Sequence, residues 1–215
     1  QIKKIRRSTM VQIRSYFTLQ GIELPVECWS KKHVAFLKEK ASKSKKGFVV
    51  LSLIKSYEQD TAHIKEVSGE IDRLTKERGK EDERKIIETA PGVARTTSET
   101  LLAEMIHPDR FDNDNQLCSY FGLIPATASS GEKEVSRGIT TRRRGKLRHV
   151  IIESAWTASK SDPELALAFS KLCLKMKKNE AIIRIARKLL LRVKRIWLNM
   201  EPYRKNVNIE PAIQP

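Results

Sequence analysis

The longest regular pattern in this 215-residue sequence is helical and runs from Val49 to about Glu88. Apolar residues fall three or four positions apart there, and Lys, Glu and Asp occupy the positions between them. This spacing predicts a coiled-coil-like helix over 49–88, although Thr61 and Gly69 on or near the seam weaken the pattern. A long surface helix packed on its own domain would look the same, and we leave both interpretations open. A coiled coil would make the protein a dimer or a larger assembly.

Helical patterns also account for most of the remaining chain. Gly (9 residues) and Pro (8 residues) are scarce, which argues against a sandwich or barrel with many tight turns. We therefore predict a mainly all-α fold, in which the coiled-coil-like helix is followed by a helical domain. The predicted divisions are a basic helical segment at 1–48, the long helix at 49–88, a helical domain at 89–203 and a tail at 204–215.

Capping and stop residues delimit the other predicted helices. Gly21 ends the first helix, Ser30 caps the second, and Asp112 or Asn113 caps a later short one. Phe36 is expected on the apolar face of the second helix, and 123–131 is expected to be a polar loop of small residues. We predict these helices over 1–20, 30–41, 96–106, 114–121, 145–159, 163–177 and 179–200.

Charge is segregated along the sequence. The chain has 42 Lys and Arg against 26 Asp and Glu, a formal net charge of +16. Residues 1–46 hold 12 basic and 3 acidic residues, and residues 131–215 hold 20 and 8, whereas the stretch between them is slightly acidic. Because a solvated helical surface would mix the signs, this segregation favours nucleic acid as a partner. No apolar run approaches the length of a membrane span, so no membrane partner is expected.

A Pro-Gly-Val turn centred on Gly92 precedes a predicted helix and is typical of a helix-hairpin-helix motif. In that motif Gly92 would let the backbone approach a phosphate, and the following helix would offer N–H groups at its positive end. An ordinary turn between two helices would have the same sequence, so the motif alone is a weak indication.

Two adjacent serines, Ser129 and Ser130, precede Gly131 and a basic cluster. A serine hydroxyl becomes an effective nucleophile only when a base or cations activate it and stabilise the developing charge. Basic side chains just downstream could hold a scissile phosphate; these are Arg142, Arg143, Arg144, Lys146 and Arg148. Further contacts to nucleic acid are predicted on the outward face of the last helix, from Arg187, Lys188 and Lys194. A merely flexible Ser-Ser-Gly loop is the alternative.

Metal and disulfide chemistry have little support. The three cysteines, Cys28, Cys118 and Cys173, are odd in number and far apart, which fits a reducing, cytoplasmic setting. The four histidines lack zinc-type spacing. Asp109, Asp112 and Asp114 lie close together but read as helix caps rather than a calcium loop. We predict no metal site within this chain.

A series of short motifs occurs in an order that resembles the C-terminal domain of IS110-type insertion-sequence transposases, also called DEDD transposases. They are Pro91-Gly92-Val93, Leu101-Leu102-Ala103-Glu104, Arg110-Phe111, Tyr120-Phe121-Gly122-Leu123-Ile124-Pro125, Ser129-Ser130-Gly131, Gly138-Ile139-Thr140, Gly145-Lys146-Leu147-Arg148, Glu153-Ser154-Ala155-Trp156, and Ala181-Ile182 with Ala186-Arg187. The resemblance covers about residues 85–203. Residues 1–85 look like the end of the family's RuvC-like half with its connecting coiled coil, so we expect the chain to be part of a longer protein.

The resemblance implies a DNA recombinase in which a serine of this domain joins covalently to DNA. By position that serine is Ser130, with Ser129 as the close competitor. The resemblance further implies Mg²⁺ held by an acidic tetrad in the RuvC-like half, a structured guide RNA, and a homo-oligomer (a dimer or a tetramer). The tetrad is not visible in this sequence, so Mg²⁺ is expected only for the full-length enzyme. The alternative function is a catalytically inactive module for nucleic-acid binding and oligomerisation.

Overall fold

The computed structural model describes residues 1–24, 29–44, 47–130, 133–139 and 145–205. The chain divides into two compact units, Gln1–Arg78 and Gly79–Pro215. In the described residues, regular structure consists of nine α-helices, one 3-10 helix and one two-stranded antiparallel sheet. The prediction of a mainly all-α fold is therefore confirmed.

The first unit is built from three helices, α1 (Ile2–Leu19), α2 (Lys31–Ser42) and α3 (Gly47–Glu77). Helices α1 and α2 both pack on α3. Gly21, with φ +72°, follows the end of α1 as predicted, and the Ser30 side chain accepts a hydrogen bond from the backbone N–H of His33 at the start of α2. The shared core contains Ile13, Phe17, Val34, Leu37, Ala41, Val50, Ile54 and Tyr57.

Helix α3 is buried only near its beginning. Its buried side chains end at Tyr57, and the apolar residues of its later turns, Val67, Ile71 and Leu74, are 37–39% exposed. The prediction of one continuous helix over 49–88 is wrong in its second part. Helix α3 ends at Glu77, Gly79 adopts the left-handed φ of +65°, and a new helix follows. Glycine tolerates this conformation without the Cβ penalty, and it is the usual helix stop.

The second unit begins with α4 (Glu81–Glu88) and α5 (Arg95–Met105), followed by a 3-10 helix (Pro108–Arg110) and α6 (Asp114–Tyr120). Asn113 caps α6 by accepting a hydrogen bond from the backbone N–H of Gln116 at 2.9 Å. The unit is completed by α7 (Gly145–Ser161), α8 (Pro163–Cys173) and α9 (Lys178–Asn199). Helices α7, α8 and α9 pack on one another, and α9 also contacts α4 and α6.

Helix α9 forms the centre of this core. Its apolar residues recur at helical spacing, as an amphipathic helix requires. Every residue predicted to face inward is buried: Ala181, Ile182, Ile185, Ala186, Leu189, Leu190, Val193, Ile196 and Trp197. The indole N–H of Trp197 donates a hydrogen bond to the Glu83 carboxylate at 2.8 Å, which links α9 to α4.

A β-hairpin lies where the sequence predicted a polar loop. Strand β1 (Pro125–Ser130) pairs antiparallel with strand β2 (Lys133–Ile139), and the register is irregular between Pro125 and Thr127. The loop prediction for 123–131 is therefore wrong. Small residues such as Ala128 and Ser129 have low strand propensity, and pairing with a second segment outweighs it.

Candidate nucleic-acid interface

The two candidate nucleophiles lie at the far end of the hairpin. Ser130 is the last residue of β1 and pairs with Lys133, and Ser129 pairs with Glu134. Both serines are therefore the last two residues of β1, at the end of the strand that is farther along the chain from α6. Arg142, Arg143 and Arg144 lie outside the described residues.

The chain that leaves the hairpin enters α7, whose first turn carries two of the predicted phosphate contacts. Lys146 is exposed, whereas Arg148 is half-buried. The Arg148 guanidinium donates to the carbonyl oxygen of Gly122 at 3.5 Å. The first turn of a helix carries a partial positive charge, and Lys146 adds a full one. The first turn of α7 therefore combines the positive end of a helix with the charges of Lys146 and Arg148.

Gly92 has a structural role in the packing of α7. It adopts a φ of +72°, and a Cβ at this position would lie 2.2 Å from the carbonyl oxygen of Ser154 and 2.9 Å from the backbone nitrogen of Ala158. Only glycine allows this approach of the turn to α7. The packing explains why glycine is needed here, and a phosphate contact at Gly92 stays a prediction.

The predicted outward face of α9 is largely engaged with neighbouring elements. Arg187 donates to the side-chain oxygen of Asn115 at 3.3 Å. Lys194, whose side chain is only 14% exposed, donates to the carbonyl oxygen of Phe111 at 3.3 Å and lies 3.4 Å from a carboxylate oxygen of Asp114. Lys194 is therefore largely withdrawn from the open basic face that the sequence predicted, whereas the bond from Arg187 lies at the surface. Nucleic-acid binding by both residues stays a prediction.

Arg192 of α9 belongs to a buried polar cluster. Its guanidinium lies 3.4 Å from the carboxylate of Asp162, a residue that is 1% exposed, and also pairs with Glu164. Asp162 additionally caps α8 by accepting from the N–H of Leu165, and it accepts a hydrogen bond from the hydroxyl of Tyr203 at 2.8 Å. Burial and the Asp162 hydrogen bond raise the pKa of Tyr203 to about 12.

The exposed cations of α9 are a smaller set than the sequence predicted. Arg184, Lys188 and Arg195 are exposed, and they lie on one side of the helix because they are four and seven positions apart. Of the three α9 residues predicted to bind nucleic acid, only Lys188 is fully exposed. Sequence reasoning could not separate these groups, since the side-chain partners of Arg187 and Lys194 lie 72 and 80 positions away in the sequence.

A metal site is not evident in the described part of the chain. Across those residues, no group of three His, Cys, Asp or Glu side chains could hold an ion. Asp109 is hydrogen-bonded to His107, Asp112 to Gln116, and Asp114 to Lys194, so the three clustered aspartates point to separate partners. Within the described residues, these three aspartates therefore do not form one carboxylate cluster.

Cys118 is buried, and burial raises the pKa of its thiol, as expected for a core cysteine rather than a reactive one. Within the described ranges, every helix is too short or too polar to cross a bilayer.

Comparison with known proteins gives a consistent result. Residues 84–170 match the model of the "Transposase IS116/IS110/IS902 family". The chain is also 35% identical over 66 residues to the Sinorhizobium fredii protein named "Putative transposase y4qE", covering 31% of this chain and 17% of that protein. It is 35% identical over 69 residues to the "Transposase for insertion sequence element IS1111A" of Coxiella burnetii, covering 32% of this chain and 19% of that protein.

The matched part of the chain spans less than a fifth of the length of these two relatives. The family match encloses α5, α6, the hairpin and α7, which are the elements that carry most of the ordered motifs. The resemblance predicted from these motifs is thereby confirmed over residues 84–170, which are similar to the IS116/IS110/IS902 transposase family.

Proposed function

We propose that this chain is the strand-joining part of a DNA transposase, in which Ser130 attacks a DNA phosphodiester. The observation that carries the proposal is the extent of the family match over 84–170. It includes both the β1–β2 hairpin, which contains Ser129 and Ser130, and the first turn of α7. Lys146 and Arg148 in that turn, together with Arg142, Arg143 and Arg144 before it, would neutralise the phosphate.

The proposed step exchanges one ester for another. The Ser130 oxygen forms a bond to phosphorus, and the bond between phosphorus and a sugar oxygen breaks. The serine hydroxyl gives up its proton and the departing sugar oxygen gains one, so that no net oxidation or proton change occurs. Positive charge beside the phosphate stabilises the extra negative charge of the transition state.

The cofactor and the second polyanion are parts of the same proposal. The resemblance implies Mg²⁺, and because its acidic tetrad is not visible in this sequence, we propose that the RuvC-like half of the full-length protein supplies the ligands. A structured guide RNA is the other partner that the resemblance implies. The net charge of +16 suits a chain that binds two polyanions.

The test is a covalent adduct that survives denaturation. The full-length protein that contains this chain is incubated with Mg²⁺ and end-labelled DNA from the flanks of its coding sequence, and the products are resolved on a denaturing gel. We expect Ser130→Ala to abolish the protein–DNA adduct and Ser129→Ala to retain it. An adduct that persists in Ser130→Ala but not in Ser129→Ala would assign the nucleophile to Ser129. An adduct that persists in both variants would refute the serine mechanism.

Self-association through the later turns of α3 is a second proposed function of this chain. The apolar residues Val67, Ile71 and Leu74 are more than a third exposed, and they continue the three-and-four spacing of a coiled-coil seam. A second copy of the same helix would cover this seam. Surrounding charges do not oppose it, since Arg73 pairs with Glu70 and Glu77 within its own helix.

Sedimentation velocity of the 215-residue chain tests this assembly. We expect Ile71→Lys to shift the protein from dimer or larger species to monomer, because a buried unpaired lysine is costly. Lys65→Gln, an exposed change on the same helix, is the control. A monomeric wild-type protein, or an Ile71→Lys protein with unchanged mass, would refute association through this seam.

A further inference from the structure

Helix α2 has an exposed aromatic ring in the middle of a line of lysines. Phe36 was expected on the apolar face, but its side chain is 40% exposed and stands apart from the Val34, Leu37 and Ala41 side of the helix, which is buried. Exposure of a large apolar ring is unremarkable when it occurs singly. Phe36 differs because exposed lysines surround it, and these could bind an anionic ligand that also contacts the ring.

Lysines flank Phe36 at positions that share its helical face. Lys32 precedes it by four residues, Lys40 follows by four and Lys43 by seven, spacings that place side chains on one side of a helix. All three lysines are exposed. Helix α2 has one acidic residue, Glu39, and it pairs with Lys43 at 2.7 Å. The face from Lys32 to Lys43, which we call the α2 face, extends over roughly 17 Å along the helix axis.

Two side chains of helix α2, Lys40 and His33, contact the Phe36 ring. The Lys40 ammonium lies 5.6 Å from the centroid of the Phe36 ring. The imidazole of His33 lies 5.8 Å from the same centroid, tilted by 31°. Burial lowers the pKa of His33, so its ring is mostly neutral near pH 7. The α2 face therefore offers two aromatic rings with cations on either side of them.

Single-stranded nucleic acid has the matching chemistry. Its bases have flat apolar faces that stack on aromatic side chains, and its phosphates alternate with the bases. A duplex hides the base faces and leaves only phosphates for the lysines. An acidic protein would satisfy the lysines but would leave Phe36 without a partner, because the ring lies among cations rather than in an apolar patch.

We infer that the α2 face binds an unpaired DNA strand, with a base on Phe36 and phosphates on Lys32 and Lys40. The inference rests on the proposed function for the identity of the nucleic acid as DNA, since DNA is the substrate of the proposed strand-joining step. It places a binding surface in the first unit, which the family match over 84–170 does not include.

Fluorescence anisotropy with a labelled 20-nucleotide oligo-dT tests the inference on the 215-residue chain. We expect Phe36→Ala to weaken binding about tenfold, the loss typical of one stacked base, and Phe36→Trp to restore it. Leu19→Ala is the matched control, because Leu19 is an apolar side chain of the same unit that is 84% exposed. Lys40→Gln should lower the slope of log affinity against log salt by about 0.7, the value for one phosphate contact with a single strand.

Three outcomes would overturn the inference: equal affinity of Phe36→Ala and Leu19→Ala for oligo-dT, an equal loss on a 20-base-pair duplex, or tighter binding of oligo-rU than of oligo-dT by the wild type. Ser130→Ala separates this inference from the proposed function. Oligo-dT binding that depends on Phe36, with no serine adduct formed by the full-length protein, would refute the proposed function alone. A serine adduct with Phe36-independent binding would refute the α2 face alone.

Discussion

Helices α2 and α9 are both rich in basic residues, yet their cations have different surroundings. In α9, Arg187, Arg192 and Lys194 donate to groups on other elements of the second unit. In α2, Lys32 and Lys40 are exposed and lie beside an exposed ring. A basic residue on the outward side of a helix is thus available to a ligand only where no neighbouring carbonyl or carboxylate reaches it.

This comparison changes how the charge of the chain is interpreted. The net charge of +16 includes cations that stabilise the fold and cations that could bind a polyanion. Ion pairs on the surface, such as Lys38 with Glu58 at 2.8 Å, belong to neither group because exposed pairs contribute little. Substitutions of Arg192, Lys194 and Lys188 separate the cations that stabilise the fold from those that could bind a polyanion.

The largest expected effect is on Arg192. Arg192→Ala should lower the free energy of unfolding by about 3 kcal/mol, because it removes a partner from the buried carboxylate of Asp162. The loss lies at the lower end for a broken buried pair, since Tyr203 and the Leu165 N–H still donate to Asp162. Urea unfolding followed by circular dichroism measures it. Arg195→Ala, an exposed change on the same helix, is the control, and equal stability of the two variants would contradict the assignment.

A smaller effect distinguishes Lys194 from Lys188, two lysines of α9 that the sequence alone treats alike. Lys194→Ala should cost about 1–2 kcal/mol of stability, because the carbonyl of Phe111 and the carboxylate of Asp114 lose their donor. Lys188→Ala should change stability by less than about 0.5 kcal/mol.

On the affinity for duplex DNA, Lys188→Ala should have the larger effect of these two variants. Lys188→Ala is expected to lower the salt slope of binding by about 0.9, the loss of one phosphate contact, and Lys194→Ala to leave that slope unchanged. Thermal melting and anisotropy of both variants measure the two effects. A Lys194→Ala protein of wild-type stability with weakened DNA binding would return Lys194 to the binding surface.

Much of the helical fold could be predicted because its signals are local. Ser30, Asn113 and Asp162 cap their helices with side-chain hydrogen bonds to residues three positions on, and such signals are legible in sequence. The inward face of α9 follows from its apolar period, which is equally local.

The missed features depend on contacts between distant segments. The strands of the hairpin contain small and polar residues without clear alternation, so their pairing leaves no sequence signal. The engagement of Lys194 depends on Asp114, which is 80 positions away. At the candidate site, motif order proposes Ser130 as the nucleophile. The separation of engaged from exposed cations on α9 could be seen only in the packed helices.

The position of the hairpin has a consequence for protein engineering. Helix α6 ends just before it and α7 begins just after it, and Arg148 joins these two boundaries through the carbonyl oxygen of Gly122. The chain therefore leaves the helical core near Gly122 and returns to it near Arg148, and these two positions are in contact. We expect a short glycine-rich linker in place of residues 126–143 to preserve the helical fold while removing both serines. Such a shortened protein would be a folded scaffold into which hairpins from related transposases could be grafted.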